Sequence, residues 1–117
     1  MKSLEALWTA HFGNYENPDH WANSGVVIFE SGRLFGGDSY AYYLGTFNVK
    51  DDAVTGPLAV TVFDPKGITA FGDLGSQINV QLRGKRINDD LISGEMTAHE
   101  QPGLKIHFEL RRQADLP

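Results

Sequence analysis

The residues of this 117-residue chain best suited to hold a metal or move a proton near neutral pH are His11, His20, His99 and His107. Their spacing does not suit them to either task. None belongs to a His-x-His or His-x-x-x-His pair, the spacings that put two imidazoles on one side of a strand or a helix. His20 stands beside Asp19 in a loop sequence and needs ligands from elsewhere. His107 alternates with apolar neighbours and so falls on a polar face. The carboxylate pairs Asp51-Asp52 and Asp89-Asp90 sit in turn sequences, whereas an acid–base couple needs burial to drive its two pKa values apart. Ser3, Ser24, Ser31, Ser39, Ser76 and Ser93 all lie next to turns or strand ends, and none is in a Gly-x-Ser-x-Gly elbow. Gly36-Gly37 is followed by neither a helix nor a Gly-Lys-Ser/Thr sequence, so it is no phosphate loop. The chain therefore reads as a non-enzyme, with no cofactor and no metal site expected.

Bulk composition narrows the field further. The length suits one domain, residues 1–117, with one hydrophobic core. There is no cysteine, which removes disulfides and thiolate metal sites and fits a reducing compartment. Fifteen acidic residues against ten basic ones give a net charge of −5, the wrong balance for a surface that neutralises phosphates. Arg83, Lys85, Arg86 and the pair Arg111-Arg112 stand at the ends of apolar patterns and read as solvated charge. Glu5 and His11 interrupt any signal-peptide core, and no run approaches the roughly 18 apolar residues of a membrane span. The expectation is a soluble, cytoplasmic protein that binds no nucleic acid and inserts in no membrane.

The elements that must position any site read as β-strands. Thirteen glycines and five prolines punctuate the whole chain instead of pooling in one linker. Trp8 to Phe12 alternates and reads as the first strand. Gly25 to Glu30 is the second, and Ser31-Gly32 turns it tightly into the third, Arg33 to Gly36. Tyr40 to Val49 is the fourth and Ala53 to Phe63 the fifth, where Pro57 predicts a bulge or an edge. Asp64-Pro65-Lys66-Gly67 is a turn, and Ile68 to Gly75 is irregular. In Gln77 to Arg83, Ile78, Val80 and Leu82 face one way. Leu91 to His99 follows, with Ile92, Gly94, Met96 and Ala98 on one face. Gln101-Pro102-Gly103 is the next turn, and Leu104 to Leu110 points Leu104, Ile106, Phe108 and Leu110 inward. About eight antiparallel strands joined by short turns predict an up-and-down barrel, with a two-sheet sandwich as the alternative.

Aromatic residues concentrate on the fourth strand. Tyr43, Gly45, Phe47 and Val49 share one face, and Tyr42, Leu44 and Thr46 share the other. Tyr40, Tyr42, Tyr43 and Phe47 thus put aromatic surface on both sides of a strand that a small barrel can bury on only one. With the adjoining turn residues Lys50, Asp51 and Asp52, they are the candidate partner-binding set. Gly36-Gly37-Asp38 is expected to be structural. Its glycines would take conformations closed to other residues, and Asp38 would accept backbone hydrogen bonds in the following turn.

The stretch 25–45 resembles the GrlR-type regulators. It carries a strand, a turn, the triplet Gly36-Gly37-Asp38, then a tyrosine-bearing strand ending in Gly45. The opening Leu7-Trp8-Thr9-Ala10 and the later short strands fit as well. The resemblance implies a small, eight-stranded, lipocalin-like barrel. It also implies negative regulation of type III secretion genes by sequestering a transcription activator, without contact to DNA. The acidic turn that the family's best-known member needs for regulation corresponds here to Val49-Lys50-Asp51-Asp52, which keeps two of the four acidic positions and has a lysine at another.

Two functions from different classes follow. One is a regulatory module that binds a protein partner and also forms a homodimer through the tyrosine strand. The other is a lipocalin-like binder of a small apolar ligand. Interior filling separates them. Bulky inward residues such as Trp8, Phe12, Leu82 and Phe108 leave no ligand space, whereas a void of several hundred Å3 favours the binder, on the scale of known ligand pockets.

Overall fold

The computed structural model describes residues 2–67, 69–72 and 75–117. Among them lie nine strands: β1 (Ala6–Gly13), β2 (Asn23–Glu30), β3 (Arg33–Gly37), β4 (Ala41–Thr46), β5 (Asn48–Lys50), β6 (Ala53–Val62), β7 (Gln77–Asn88), β8 (Leu91–Ala98) and β9 (Gln101–Ala114). One 3-10 turn, Pro18–His20, follows β1, and no helix among the described residues is long and apolar enough to cross a membrane. All neighbouring strands run antiparallel in the order β4-β3-β2-β1-β9-β8-β7-β6-β5, and β4 also pairs with β6. That last pairing closes an eight-stranded barrel, with β5 as an addition. The up-and-down barrel expected from the strand pattern is the architecture found.

The expected fourth strand is interrupted. The ladder on β6 runs from Ala41↔Val62 to Gly45↔Leu58 and resumes at Asn48↔Thr55 in the same register. It lapses at Thr46 and Phe47, opposite Pro57 and Gly56. The Phe47 N–H turns away and donates to Gly32 O at 3.0 Å. Pro57 therefore marks neither a bulge nor an edge: β6 pairs with β7 straight through it, Pro57 facing Gln81. A residue with no N–H fits where one ladder is already broken.

Other turns match or amend the sequence reading. Ser31 and Gly32 both have positive φ, 51° and 76°, as the two central residues of a tight hairpin require. The β8–β9 connection is His99-Glu100, two residues earlier than expected. Gln101 already pairs with Ala98, and the register then jumps to Thr97↔Lys105, so Pro102-Gly103-Leu104 bulges from β9. In the stretch Ile68 to Gly75, Gly72 N donates to Thr69 O at 2.9 Å to close a turn; residues 68, 73 and 74 lie outside the described ones.

The core follows from period-2 alternation. Ile78, Val80 and Leu82 of β7, Ile92, Met96 and Ala98 of β8, and Ile106, Phe108 and Leu110 of β9 are all buried, with Trp8 and Phe29 fully so. Two basic residues depart from the solvated reading. Arg86 is 6% exposed and the Arg112 side chain 8%. Both continue an inward series, Ile78-Val80-Leu82-Gly84-Arg86 and Ile106-Phe108-Leu110-Arg112. Both close one end of the barrel, where an N-terminal strap crosses it. Arg86 donates to Lys2 O at 2.7 Å and Arg112 to Ser3 O at 2.8 Å, with the Arg112 guanidinium 4.8 Å from the centre of the Trp8 ring. Leu4 is buried there, and its carbonyl accepts from the Trp8 indole at 2.9 Å. The opposite end of the barrel carries the β3–β4 turn and the described residues between β6 and β7, 63–67, 69–72 and 75–76.

Candidate functional site

The structure divides the partner-binding set proposed from sequence among four places. Tyr42 points outward from β4 and is 42% exposed. Tyr40 stands at the loop end, where its carbonyl accepts from Phe63 N and Asp64 N. Lys50, Asp51 and Asp52 occupy the strap-end turn, with Asp51 at φ 55° and Asp52 3.8 Å from Lys85 Nζ. Tyr43 lies in the interior and Phe47 is half-buried against it, so neither stands on the outer face with Tyr42. Tyr43 is buried, and Phe47 packs on the core, edge-on to Phe29 with ring centres 4.9 Å apart. Alternation explains the split, since the barrel takes in one face of β4 and leaves Tyr42 and Leu44 outside.

Barrel register builds around Tyr42 a surface that no single strand announces. Leu7 pairs with Ile28, Ile28 with Phe35 and Phe35 with Leu44. These four outward residues form one apolar row across β1, β2, β3 and β4. Val26, 43% exposed, and Tyr42 flank the row on its loop side, separated by Gly37, which pairs with both. Leu44 is the most exposed member at 56%. Beyond Leu44 a shallow groove is lined by Thr46, Pro57, Ala59, Asn79 and His99. At the strap side of the row, Arg33 binds Glu30 at 3.1 Å and lies 5.6 Å from the Phe35 ring centre. The unbroken run Val26-Val27-Ile28-Phe29 was the signal for this face. A strand buried on one side only should alternate, and β2 does not.

The Gly36-Gly37-Asp38 triplet does structural work, but not through unusual φ angles. Neither glycine has positive φ. Their reason is close approach: a Cβ on Gly36 would stand 1.9 Å from Val26 O, and one on Gly37 2.9 Å from Ala41 O. Asp38 caps the turn as expected, its Oδ1 accepting from Tyr40 N at 2.8 Å and Ala41 N at 2.9 Å. Its other oxygen accepts the Tyr43 hydroxyl. Gly25 makes room for this pair, since a Cβ there would meet Tyr43 Oη at 3.1 Å. The Tyr43 phenol is pushed well above its ordinary range, first by burial, then by the hydrogen bond to Asp38 and its negative charge. It stays protonated and donates, so it is no base.

Asp38 and Tyr43 stand at the mouth of an apolar cavity of about 60 Å3. Its walls come from all eight barrel strands, and Phe71 of the 63–76 loop, itself buried, covers it. Trp8, Phe29 and Ile92 fill the strap half of the barrel.

No protein-family model matches the sequence, and comparison with curated proteins returns no match.

His99 lines the groove beyond Leu44, and no histidine lines the cavity. A His11 ring nitrogen lies 3.0 Å from Trp21 O, and His20 packs edge-on to Tyr15 with ring centres 5.6 Å apart. Among the described residues no three His, Asp or Glu side chains converge as metal ligands would. The two places differ in what they offer. The outer face presents area without polar specificity, and the loop-end mouth presents hydrogen-bond acceptors over an apolar hollow.

Proposed function

We propose that this protein is a regulatory module that binds another protein through the outer face of β1–β4. The observation that carries this reading is the cross-strand row Leu7–Ile28–Phe35–Leu44 with Val26 and Tyr42 beside it. Contiguous apolar surface of this kind on a small domain marks an interaction site, and scattered single residues do not. Aromatic area at its centre and an Arg–Glu pair at its rim match the anatomy of protein interfaces. The resemblance of residues 25–45 to the GrlR-type regulators points the same way: a barrel that sequesters a transcription regulator and leaves DNA alone. The net charge of −5 also disfavours DNA as partner. A second copy of the chain fits the same face, so homodimerisation and partner binding compete. A cavity of about 60 Å3 gives little support to a lipocalin-sized ligand, which needs several hundred.

Site-directed photo-crosslinking in the native cytoplasm tests this reading. A benzophenone side chain at position 44 is expected to trap one defined protein species, and the same group at position 81 on β7 to trap none. Equal trapping from both positions would remove the outer face as the binding surface.

A further inference from the structure

We infer that the loop end of the barrel binds a small protonated amine, with its ammonium on Asp38 and a short apolar body in the cavity. This site is separate from the outer face and stands or falls without it.

The acceptor count leads to the head group. An ionised carboxylate offers about four lone-pair positions. Tyr40 N, Ala41 N and the Tyr43 hydroxyl fill three, two on Oδ1 and one on Oδ2. One position on Oδ2 remains. The Tyr43 oxygen has spent its proton on Asp38 and can only accept. The mouth therefore has room for a donor; Asn23, Tyr40 and Thr69 also line it, but they are neutral and do not offset the carboxylate's charge, which selects against carboxylates and phosphates. Among the described residues, no lysine, arginine or histidine pairs with Asp38: every ion pair lies elsewhere. An acceptor group with negative charge, no counter-cation and a neighbouring phenol oxygen calls for a positive donor. Charge-assisted hydrogen bonds are also the stronger kind.

The cavity leads to the body. Behind the pair its walls are Ala10, Phe12, Leu58, Val60 and Phe108, with Phe71 above. A space of about 60 Å3 takes a hydrocarbon group of a few carbons and would leave water there with few partners. Tyr40 and Phe71 set aromatic rings beside the mouth, a further attraction for a cation. Tyr40 also holds the loop, since Gly67 lies against its ring and Phe63 N binds its carbonyl at 2.9 Å.

An NMR titration of the full chain at neutral pH and constant ionic strength decides the matter, with isobutylammonium, methylammonium, isobutanol and isobutyrate as probes. Isobutylammonium is expected to give saturable shifts at Tyr40, Ala41, Tyr43 and Phe71 in the millimolar range, as suits so small a ligand. Isobutanol should bind about tenfold more weakly for want of charge, methylammonium more weakly for want of a body, and isobutyrate not at all. Asp38→Asn keeps a side-chain oxygen for the two turn N–H groups and should weaken isobutylammonium about tenfold or more. Absence of saturable shifts at these residues, an equal response to isobutyrate, or unchanged affinity in Asp38→Asn overturns the inference. If Asp38→Asn fails to fold, the four probes on the unaltered protein decide it alone.

Discussion

The two outer halves of the barrel share one core and one backbone plan but differ in what they show to solvent. Across β1–β4 the outward row is Leu7, Ile28, Phe35 and Leu44. Across β7–β9 the equivalent positions are Arg83, Glu95 and His107, with Gln81, Thr97 and Lys105 beside them. Lys105 pairs with Glu95 at 3.8 Å and Arg111 with Glu109 at 2.9 Å, while Ile87 near the strap end is the apolar exception. Exposed ion pairs of this kind add little stability, about 0–1 kcal/mol each, but they keep a surface wet. Both outer halves face away from the core, so on the proposed function the contrast between them concerns interaction more than folding.

The core itself should be blind to this contrast, and that is the largest effect to test. Leu34→Ala beneath the apolar half and Phe108→Ala beneath the polar half should each cost about 2–5 kcal/mol in chemical denaturation. A cost confined to one half would mean that the barrel is not packed as one unit.

Close strand approach gives the next test. A Cβ on Gly36 would lie 1.9 Å from Val26 O, and one on Gly94 2.0 Å from Arg83 O. Gly36→Val and Gly94→Val should both destabilise by about 1–3 kcal/mol or more, since backbone must move. Unchanged stability of Gly36→Val would show that the triplet is not there for spacing.

Tyr43→Phe should cost about 1–2 kcal/mol at neutral pH, because Asp38 loses a donor in a half-buried setting. It should also alter alkaline unfolding. The phenol's pKa is raised on folding, so the unfolded chain gives up its proton first. Stability is full below the ordinary phenol value of about 10 and falls as pH rises through and beyond it. Tyr43→Phe lacks that fall, and its denaturation midpoint should decline less steeply above pH 10 than that of the unaltered protein.

The smallest effect on stability carries the most information about function. Tyr42→Ser and Leu44→Ser should each change stability by no more than about 0.5 kcal/mol, like other surface substitutions. Sedimentation at micromolar concentration should nevertheless find a dimer that both substitutions dissociate and that Gln81→Ser on the polar half leaves intact. A strict monomer would remove self-association from the outer face.

How far each of these features could be seen in the sequence depends on how local it is. The alternation in β7 and β9 is carried by neighbours two apart, and the burial of Ile78 through Leu82 and Ile106 through Leu110 follows from it. Carried two residues further, the same alternation also points Arg86 and Arg112 inward. Their charge suggests solvation, and their burial is made tolerable by partners brought in from elsewhere: the strap carbonyls of Lys2 and Ser3, the Asp89 carbonyl, and the Asp89 and Asp90 carboxylates at 3.5 and 3.6 Å. Asp38 as a turn acceptor was legible for the same local reason. Its bond to Tyr43 was not, because that bond needs the space left by Gly25 on a strand that does not adjoin β4.

The chain by itself determined most of the strands, the inward residues of β7 and of Ile106 to Leu110, and the Ser31-Gly32 turn, since a period of two and a turn dipeptide are properties of short segments; the break at Phe47 and the position of the β8–β9 turn were not among them. Only the tertiary structure decided that Leu7, Ile28, Phe35 and Leu44 form one face, and that a hollow remains under Phe71. Those outcomes rest on register and on the closure of β4 against β6. Both are set by the packing of all eight strands together, and a one-residue slip in any pair would turn that strand's outward residues inward.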